Sequence, residues 1–457
     1  MAVKLKNKSL IIAAIAILVL VGTLVMIFTR PEKKLAAADA QEFSSIGGKQ
    51  VFEAESGTTT GEGWVIFQSR DCSSQRVLSA MGRFDGSAVY TIKSDKAVRA
   101  EMSLKMSYIG SSVNMREVLS ISVNGTPVDL DYAAVYRTCS DYKTFFEFPV
   151  GTVELRGGDN TVTVTNVGGG YSIDYFAISP ILNYTGKALV IEAEDAVVDG
   201  SAYPQERAGA SGGRVLDNRT GGRIIFALNS NNAALTALKL RFGYSSDLNG
   251  SHVSDICNIS VNGRSLANEI ALEKSSSKEV GFYEYTVGNL LLRAGENKIV
   301  IENRNGGVFY DSIALTDEIK TEFVGESLTV GAESAACAGG SRVEYANGKA
   351  VIAFNSATTS AQFLIYSQSA QAAALQLSLA YWGIADALDE VLFVTVNGYL
   401  LDLSEIPSAP SALETEDKYY DFQTHLLGDI TLEAGCNIVS VTSIGSTYNV
   451  EGITVSK

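Results

Sequence analysis

Two pairs of acidic residues stand at matching places in the chain. Glu53-Ala54-Glu55 returns 139 residues later as Glu192-Ala193-Glu194. A spacing of two residues puts both carboxylates of a pair on one face of a strand. Two such carboxylates repel each other unless a cation or a proton compensates them. Oxygen ligands of this kind suit Ca²⁺, which takes about 6–8 of them.

An acidic residue near the end of each copy completes the candidate metal site, which would tie the two ends of a domain together. The candidate calcium ligands are Glu53, Glu55 and Asp174 in the first copy and Glu192, Glu194 and Asp311 in the second. A solvated strand edge is the alternative interpretation, and a glycosidase pair also matches the residue types. The third copy has Gly331 and Glu451 at the corresponding positions, which makes a calcium site there doubtful.

The acidic pairs belong to a longer repeat. Val-Asn-Gly occurs at residues 123–125, 261–263 and 396–398, and Leu-x-x-Gly-x-Asn begins at Leu155, Leu292 and Leu432. The markers keep one order and nearly constant spacing, which indicates three tandem copies of about 130 residues. We expect modules at residues 49–181, 188–317 and 323–457, the third divergent.

Each copy has the pattern of an all-β domain. Leu119, Ile121 and Val123 alternate with polar residues, and the other copies do the same. A period of two is typical of a strand with one buried face. The Asn-Gly that follows favours a tight turn, because both residues tolerate positive φ. The sequence therefore predicts three antiparallel β-sandwich domains of the jelly-roll kind.

The N-terminus carries an apolar run that could cross a membrane. Residues 10–28 contain no charged residue, and as a helix they would extend about 28 Å, close to the thickness of the hydrocarbon core. We expect residues 1–30 to form a cytoplasmic tip and a single transmembrane helix, residues 31–48 to form a linker, and the bulk of the chain to lie outside the cell. A cleaved signal peptide, which would release a secreted protein, is the alternative.

Charge and composition exclude some classes of function. The net charge is −15, and residues 1–50 carry +4, which leaves −19 on the rest. Such a charge disfavours nucleic acid as a partner. Two histidines and no recognisable catalytic arrangement argue against an enzyme. Cys72 with Cys139, and Cys337 with Cys436, could each form a disulfide outside the cell or stay free, whereas Cys257 lies in phase with core residues.

With these markers in place, the chain resembles carbohydrate-binding modules of families 6 and 35, which have a galactose-binding-like β-sandwich. The resemblance covers about residues 49–457 as three units, and the second unit carries it best. Its motifs are Ile191-Glu192-Ala193-Glu194, Ala210-Ser211-Gly212-Gly213, Arg241-Phe242-Gly243-Tyr244, Val261-Asn262-Gly263, residues 292–297 and Asp311. The resemblance implies a structural calcium ion at the acidic residues and a glycan as ligand.

A sugar site needs flat aromatic rings for C–H faces and polar groups for hydroxyls. The candidate carbohydrate-binding residues are Trp64, Tyr108, Tyr142, Tyr203, Tyr244, Phe282, Tyr283, Asn303 and Asn305. Tyr108 and Tyr244 recur at one repeat position, and a tyrosine half-buried at a strand end is their alternative interpretation. We expect non-catalytic binding of polysaccharide or cell-surface glycan. A structural or adhesive envelope protein that contacts protein partners is the alternative.

Overall fold

The described part of the chain begins after the apolar N-terminal run. The computed structural model describes residues 40–45, 47–82, 85–138, 142–218, 221–266, 269–274, 280–346, 349–413, 416–445 and 447–457. The predicted membrane helix and Cys139 lie outside these residues. Within them, no helix combines the length and the apolar character needed to cross a bilayer.

Strands are by far the main regular secondary structure of the described residues, which confirms the all-β prediction. The first module contains β1 (Gln41–Phe43), β2 (Gln50–Glu53), β3 (Thr58–Thr60), β4 (Trp64–Gln68), β5 (Arg76–Ala80), β6 (Ser87–Ser94), β7 (Val98–Tyr108), β8 (Val113–Asn114), β9 (Leu119–Val123), β10 (Thr126–Pro127), β11 (Ala134–Val135), β12 (Phe146–Leu155), β13 (Gly158–Asn166) and β14 (Tyr171–Pro180). The second contains β15 (Leu182–Tyr184), β16 (Leu189–Glu192), β17 (Val197–Asp199), β18 (Tyr203–Glu206), β19 (Arg214–Asp217), β20 (Arg223–Ser230), β21 (Ala234–Tyr244), helix α1 (Val253–Ile256), β22 (Cys257–Val261), β23 (Arg264–Ser265), β24 (Gly281–Leu292), β25 (Gly295–Asn303) and β26 (Phe309–Leu315).

The third module repeats this series of strands. It contains β27 (Glu322–Phe323), β28 (Ser327–Gly331), β29 (Ala336–Ala338), β30 (Arg342–Ala346), β31 (Lys349–Phe354), β32 (Ser360–Ser367), β33 (Gln371–Tyr381), β34 (Leu392–Val396), β35 (Tyr399–Leu400), β36 (Gln423–Leu432), β37 (Gly435–Ser443) and β38 (Tyr448–Ser456). Short 3-10 turns lie at Ala54–Ser56, Met115–Glu117, Ala193–Asp195, Ser246–Leu248, Ala332–Ser334, Leu388–Glu390 and Glu416–Tyr420.

Two sheets face each other in every module. In the first module one sheet has the order β1-β6-β13-β9-β10, with β3 also on β6, and the other has the order β12-β7-β14-β5-β4, with β2 also on β14. Modules two and three repeat both orders. Each module has its own apolar core between its sheets, and Leu119, Ile121 and Val123 are buried there as the period of two predicts.

The first strand of each module departs from the expected boundaries and direction. β1 pairs with β6 in parallel, although residues 41–43 fall within the predicted linker 31–48. β15 and β27 pair in the same parallel way in the later modules. The first two modules therefore begin several residues earlier than predicted and the third begins one residue earlier, because backbone hydrogen bonds draw this segment into the sheet.

A pair of asparagines links the two strongest sequence markers. The Asn124 side chain donates to Asn160 Oδ1 at 2.8 Å and accepts from the backbone N–H of Thr161. Asn262 with Asn297, and Asn397 with Asn437, repeat the 2.8 Å contact. Residues Asn124 and Gly125 both have positive φ, as the Asn-Gly turn requires. In each module the two repeated motifs are therefore joined by a hydrogen bond between a half-buried and a buried asparagine.

The cysteines do not form the bridge that the sequence allowed in the third module. Cys337 and Cys436 are both free, and both lie at the joint between modules two and three. Cys257 is fully buried in the second core, as predicted.

A buried histidine in the third module predicts acid sensitivity. His425 on β36 faces Leu377, and burial lowers the pKa of its imidazole. The imidazole therefore binds a proton more tightly in the unfolded chain than in the folded one. The contribution of this residue to the free energy of unfolding is fully present above the ordinary histidine pKa of about 6.5 and is lost as the pH falls below it. We expect the third module to melt at a lower temperature near pH 5 than near pH 7.

His425→Phe should remove most of this pH dependence, because Phe148 holds the corresponding position of the first module. His252→Gln is the matched control, since the side chain of His252 is half-exposed in a surface loop of the second module. Calorimetric melts at the two pH values are the measurement. An unchanged pH dependence in His425→Phe would contradict the assignment.

Candidate functional site

A cluster of carboxylates lies where the first and last strands of the first module meet. β2 pairs with β14, which brings Glu53 beside Asp174, and the 3-10 turn after β2 carries Glu55. The backbone N–H of Ser73 donates to Asp174 Oδ1 at 2.9 Å, and its hydroxyl lies 2.7 Å from Glu53 Oε2. Ser74 donates to Glu55 Oε1 at 2.6 Å. The predicted ligands do come together, but Glu55 stands in a turn and does not share a strand face with Glu53.

The second module builds the same cluster. The backbone N–H of Ser211 donates to Asp311 Oδ1 at 2.9 Å, and its hydroxyl donates to Glu192 Oε2 at 2.6 Å. Glu194 lies in the 3-10 turn after β16, as Glu55 does after β2. In both modules a serine in the loop between the edge strand and its neighbour, β4–β5 or β18–β19, therefore anchors that loop to the acidic residues.

The charges in these clusters are only partly compensated. Lys105 Nζ lies 3.3 Å from Asp174 Oδ2, and Arg241 contacts Asp311 Oδ2. Burial raises the pKa of Glu53 and of Glu194. Among the described residues, one buried oxygen of Glu194 has no hydrogen-bond partner, and the same holds for Glu55. The basic side chains thus form ion pairs with the aspartates, whereas each glutamate pair retains a carboxylate oxygen without a hydrogen-bond partner among the described residues.

These observations bear on a calcium ion in two ways. The unpartnered, buried carboxylate oxygens of Glu55 and Glu194 fit a hard cation. As the side chains stand, however, no group of three or more His, Cys, Asp or Glu among the described residues has metal-binding geometry. A cation would therefore be held mainly by the glutamate pairs, with the aspartates shared with Lys105 and Arg241.

The third module replaces the cluster with an ion pair. Lys349 Nζ lies 2.6 Å from Glu451, which also accepts from Ser378. The hydrogen bond to Lys349 contributes most to lowering the pKa of Glu451. The carboxylate of Glu333 folds back over Gly331, where any larger residue would collide with it.

A cleft opens on the outer face of the second sheet of the first module. Its volume is about 650 Å³, and Ser79 and Ser172, whose hydroxyls are 2.6 Å apart, lie at its floor. Three exposed apolar side chains surround the floor: Phe67 (45% exposed), Met81 (49%) and Tyr142 (38%). The polar side chains that line it are Gln68, Ser69, Arg70, Asp71 and Lys143. Residues 69–71 belong to the same loop as Ser73, so the acidic cluster anchors one wall of the cleft.

The second module fills the corresponding face with larger side chains. A row runs straight across the sheet from Tyr203 through Asp217, Phe309 and Gly243 to Phe282. Tyr203 donates to Asp217 Oδ2 at 2.8 Å. The guanidinium of Arg207 lies 3.6 Å from the centre of the Phe309 ring. This face is an aromatic and arginine-rich strip, whereas the first module has a cleft.

The third module covers the same face. Asn449 stands at the position of Ser172 and Phe309, and its side chain donates to the carbonyl of Tyr419 at 2.9 Å. Tyr419 lies in the 3-10 turn Glu416–Tyr420, and its ring packs edge-on against Trp382 at 4.6 Å. The loop before β36 therefore closes over the row in this module.

Several of the residues predicted to contact sugar are buried in the module cores. Tyr108 and Tyr244 are buried, and the hydroxyl of Tyr244 bonds to Tyr285 and to the carbonyl of Glu273. A ring with almost no exposed surface has no face to offer a sugar. Both tyrosines do stand at strand ends, as the alternative interpretation had it, but they are buried more deeply than the half-buried position that it expected. Trp64 is also buried, packed edge-on against Tyr171 at 5.9 Å.

The remaining candidates divide between loops and faces. Asn303 is buried and donates to the carbonyl of Asn218, and Tyr283 packs against the ring of Tyr244 at 5.0 Å. Asn305 is half-buried in the loop before β26. Tyr142 borders the cleft of the first module, and Tyr203 and Phe282 lie in the surface row of the second.

Phe67 and Met81 are the residues that sequence reasoning missed. The signal was present in Trp64-Val65-Ile66-Phe67, an edge strand that is apolar on both faces. Trp64 and Ile66 face the core, whereas Val65 and Phe67 face solvent. Exposed apolar side chains grouped on the solvent side of a strand are typical of a surface that binds a ligand or a partner.

Comparisons with known proteins give weak structural likenesses. No protein-family model matches the chain, and no curated protein matches it. Solved structures that resemble it include family 35 carbohydrate-binding modules from Clostridium thermocellum, with 16% identity, and from Paenibacillus barcinonensis, with 19%. They match 29% and 28% of this chain and 98% of their own, each with a TM-score of 0.25.

Larger enzymes show the same kind of likeness. A Paenibacillus xanthan lyase matches 84% of this chain and 35% of its own, at 16% identity and a TM-score of 0.25. A Podospora anserina mannanase that contains a family 35 module matches 29% of this chain, 28% of its own length, at 20% identity and a TM-score of 0.24. The chain thus spans about a third or less of these enzymes. Scores this low carry no functional conclusion.

Proposed function

We propose that this protein binds polysaccharide or glycan without catalysis, and that the cleft of the first module is the binding site. The observation that supports this most directly is the cleft of about 650 Å³ with exposed Phe67, Met81 and Tyr142 above the hydroxyls of Ser79 and Ser172. Its volume lies in the range of about 300–1,000 Å³ that is usual for ligand pockets.

The chemistry of the lining suits a sugar. A pyranose ring presents apolar C–H groups on its faces and hydroxyls around its rim. Phe67 and Tyr142 supply aromatic surface for the faces, and Gln68, Arg70 and Asp71 supply donors and acceptors for the rim. A glycosidase uses a pair of carboxyl groups, and the described part of the lining contributes one, from Asp71.

The second module supports the same proposal with a smaller contact. Its row of Tyr203, Asp217, Phe309 and Phe282 offers aromatic edges and one carboxylate on the corresponding face. Two weak sites on one chain strengthen each other when a polymer reaches both. The covered face of the third module does not take part in this proposal.

Phe67→Ala and Tyr142→Ala should each weaken glycan binding about tenfold or more, because each removes a central apolar contact. Affinity electrophoresis of the full chain through a panel of soluble polysaccharides, followed by a glycan array, measures the loss. Tyr132→Ala is the matched control, because Tyr132 is 96% exposed in the same module and does not line the cleft.

Two outcomes would count against the site. Equal retention of wild type and both cleft variants would place binding elsewhere on the chain. No retention on any glycan would favour the structural or adhesive envelope role, in which the sandwich domains contact protein partners.

We also propose a structural Ca²⁺ at the glutamate pairs of the first two modules. Binding only to the folded state raises the melting temperature, by about 5 °C at saturating calcium for modules of this size. Melts in calcium, in magnesium and in chelator provide the measurement. Glu55→Gln with Glu194→Gln should remove most of the difference, and Glu42→Gln, an exposed carboxylate paired with Lys93, should not. Identical wild-type melts in calcium and chelator would rule out the ion.

Display outside the cell by an N-terminal membrane anchor is the third part of the proposal, supported by the uncharged run at residues 10–28. We expect the chain to stay in the membrane pellet after alkaline carbonate extraction and to be cut by protease added to intact cells. Leu18→Arg should release it from the pellet, because a central arginine costs about 3 kcal/mol in a membrane helix. A soluble product that begins near residue 40 would instead indicate a cleaved signal peptide.

A further inference from the structure

The two internal joints use the same pair of faces. At the first joint β17 lies against β12, and ion pairs join Arg99 to Glu296 at 3.2 Å and Lys298 to Glu101 at 3.1 Å. At the second joint β29 lies against β24. Each joint therefore buries the outer face of the first sheet of one module against the preceding module.

The second joint replaces the ion pairs with apolar contacts. Leu235 stands at the repeat position of Arg99, and Cys436 and Ile438 stand at those of Glu296 and Lys298. These side chains form one apolar cluster with Ala336 and Leu364. The same geometry is thus held by charge at one joint and by apolar packing at the other.

A hairpin of the second module completes the second joint. The carbonyl of Ser265 on β23 accepts from the backbone N–H of Gly339 at 2.9 Å, and Arg264 donates to Ser360. Asn289 on β24 donates to the carbonyl of Glu333 at 2.7 Å. The face that receives the third module therefore consists of this hairpin together with β24.

The corresponding face of the third module is apolar and exposed. Tyr399 and Leu400 follow Val-Asn-Gly as Arg264 and Ser265 do, and they are 76% and 68% exposed. Leu426, two residues before the bulge glycine of β36, is 57% exposed. Three large apolar side chains thus stand at or beside positions that face another module in the preceding repeat.

The complementary face of the first module is left open by the residues that the structure describes. Thr58, Val89, Thr91 and Thr161 stand at the positions where the second module presents Val197, Ile225, Ala227 and Lys298 to the joint. Thr58 and Thr161 are exposed, and Val89 and Thr91 are half-exposed.

We infer that the third module of one chain binds the first module of a second copy through these two faces, head to tail. At the repeat positions of the two ion pairs of the first joint, this joint would bring Ala372 to Asp159 and Ala374 to Thr161, so no like charges oppose each other at those two positions. Such a contact uses different faces on its two sides and builds a closed ring or an open filament of copies, depending on the rotation between them. It is independent of glycan binding.

Photo-cross-linking of the full chain tests this contact and identifies the partner. The photoreactive residue p-benzoylphenylalanine replaces Tyr399, and isotopically heavy and light chains are mixed before irradiation. We expect heavy–light cross-links from residue 399 to residues 58–60, 87–94 or 158–166. The same substitution at Tyr132, which is 96% exposed, is the control and should give none of them.

Adding Leu400→Lys should lower the yield of these cross-links about tenfold, because it places an unpaired charge in an apolar contact. Leu400 is exposed, so this variant should fold. Cross-links confined to single chains, or heavy–light links from residue 399 to another part of the second copy, would overturn the inference. An absence of heavy–light links at every protein concentration would do the same.

Discussion

The pairing of the short second strand of a module with its last strand is the interaction on which fold and site both depend. β2 on β14, and β16 on β26, close the second sheet and bring the glutamates beside the aspartate. The buried carboxylates then need donors, which the serines of the next loop supply. In the first module that loop also forms one wall of the cleft. A local electrostatic requirement thus positions a surface loop.

The inner faces of the sheets are uniform, whereas the outer faces differ from module to module. Close packing constrains the residues between the sheets, so the same strands and cores recur three times. The row of residues across the outer face of the second sheet is free of that constraint. It contains serines in the first module and aromatic residues in the second, and a loop covers it in the third. One scaffold therefore carries one open cleft, one strip and one closed face.

The joints order the three modules relative to one another. At the first joint Glu147 is buried, accepts from Lys49 at 2.5 Å and receives the backbone N–H of Val198 from the second module. At the second joint an apolar cluster does the same work. A buried ion pair is costly to break by the loss of one partner. The first joint therefore combines ion pairs with backbone hydrogen bonds between Glu147 and Gly200, whereas the second combines apolar packing with hydrogen bonds at Ser265, Arg264 and Asn289.

The sequence by itself determined the number of modules, the all-β class, the Asn-Gly turns and the meeting of Glu53 with Asp174. These follow from local signals, namely the period of two, the turn residues and the repeat itself. Only the tertiary structure decided that Tyr108, Tyr244 and Trp64 lie in cores, that Phe67 and Met81 border a cleft, and that residues 416–420 cover the third face. Alternation shows which residues share a face of a strand, but not which face is buried. That depends on contacts between segments far apart in the chain, on which strand forms the edge of the sheet, and on the loop that folds over it.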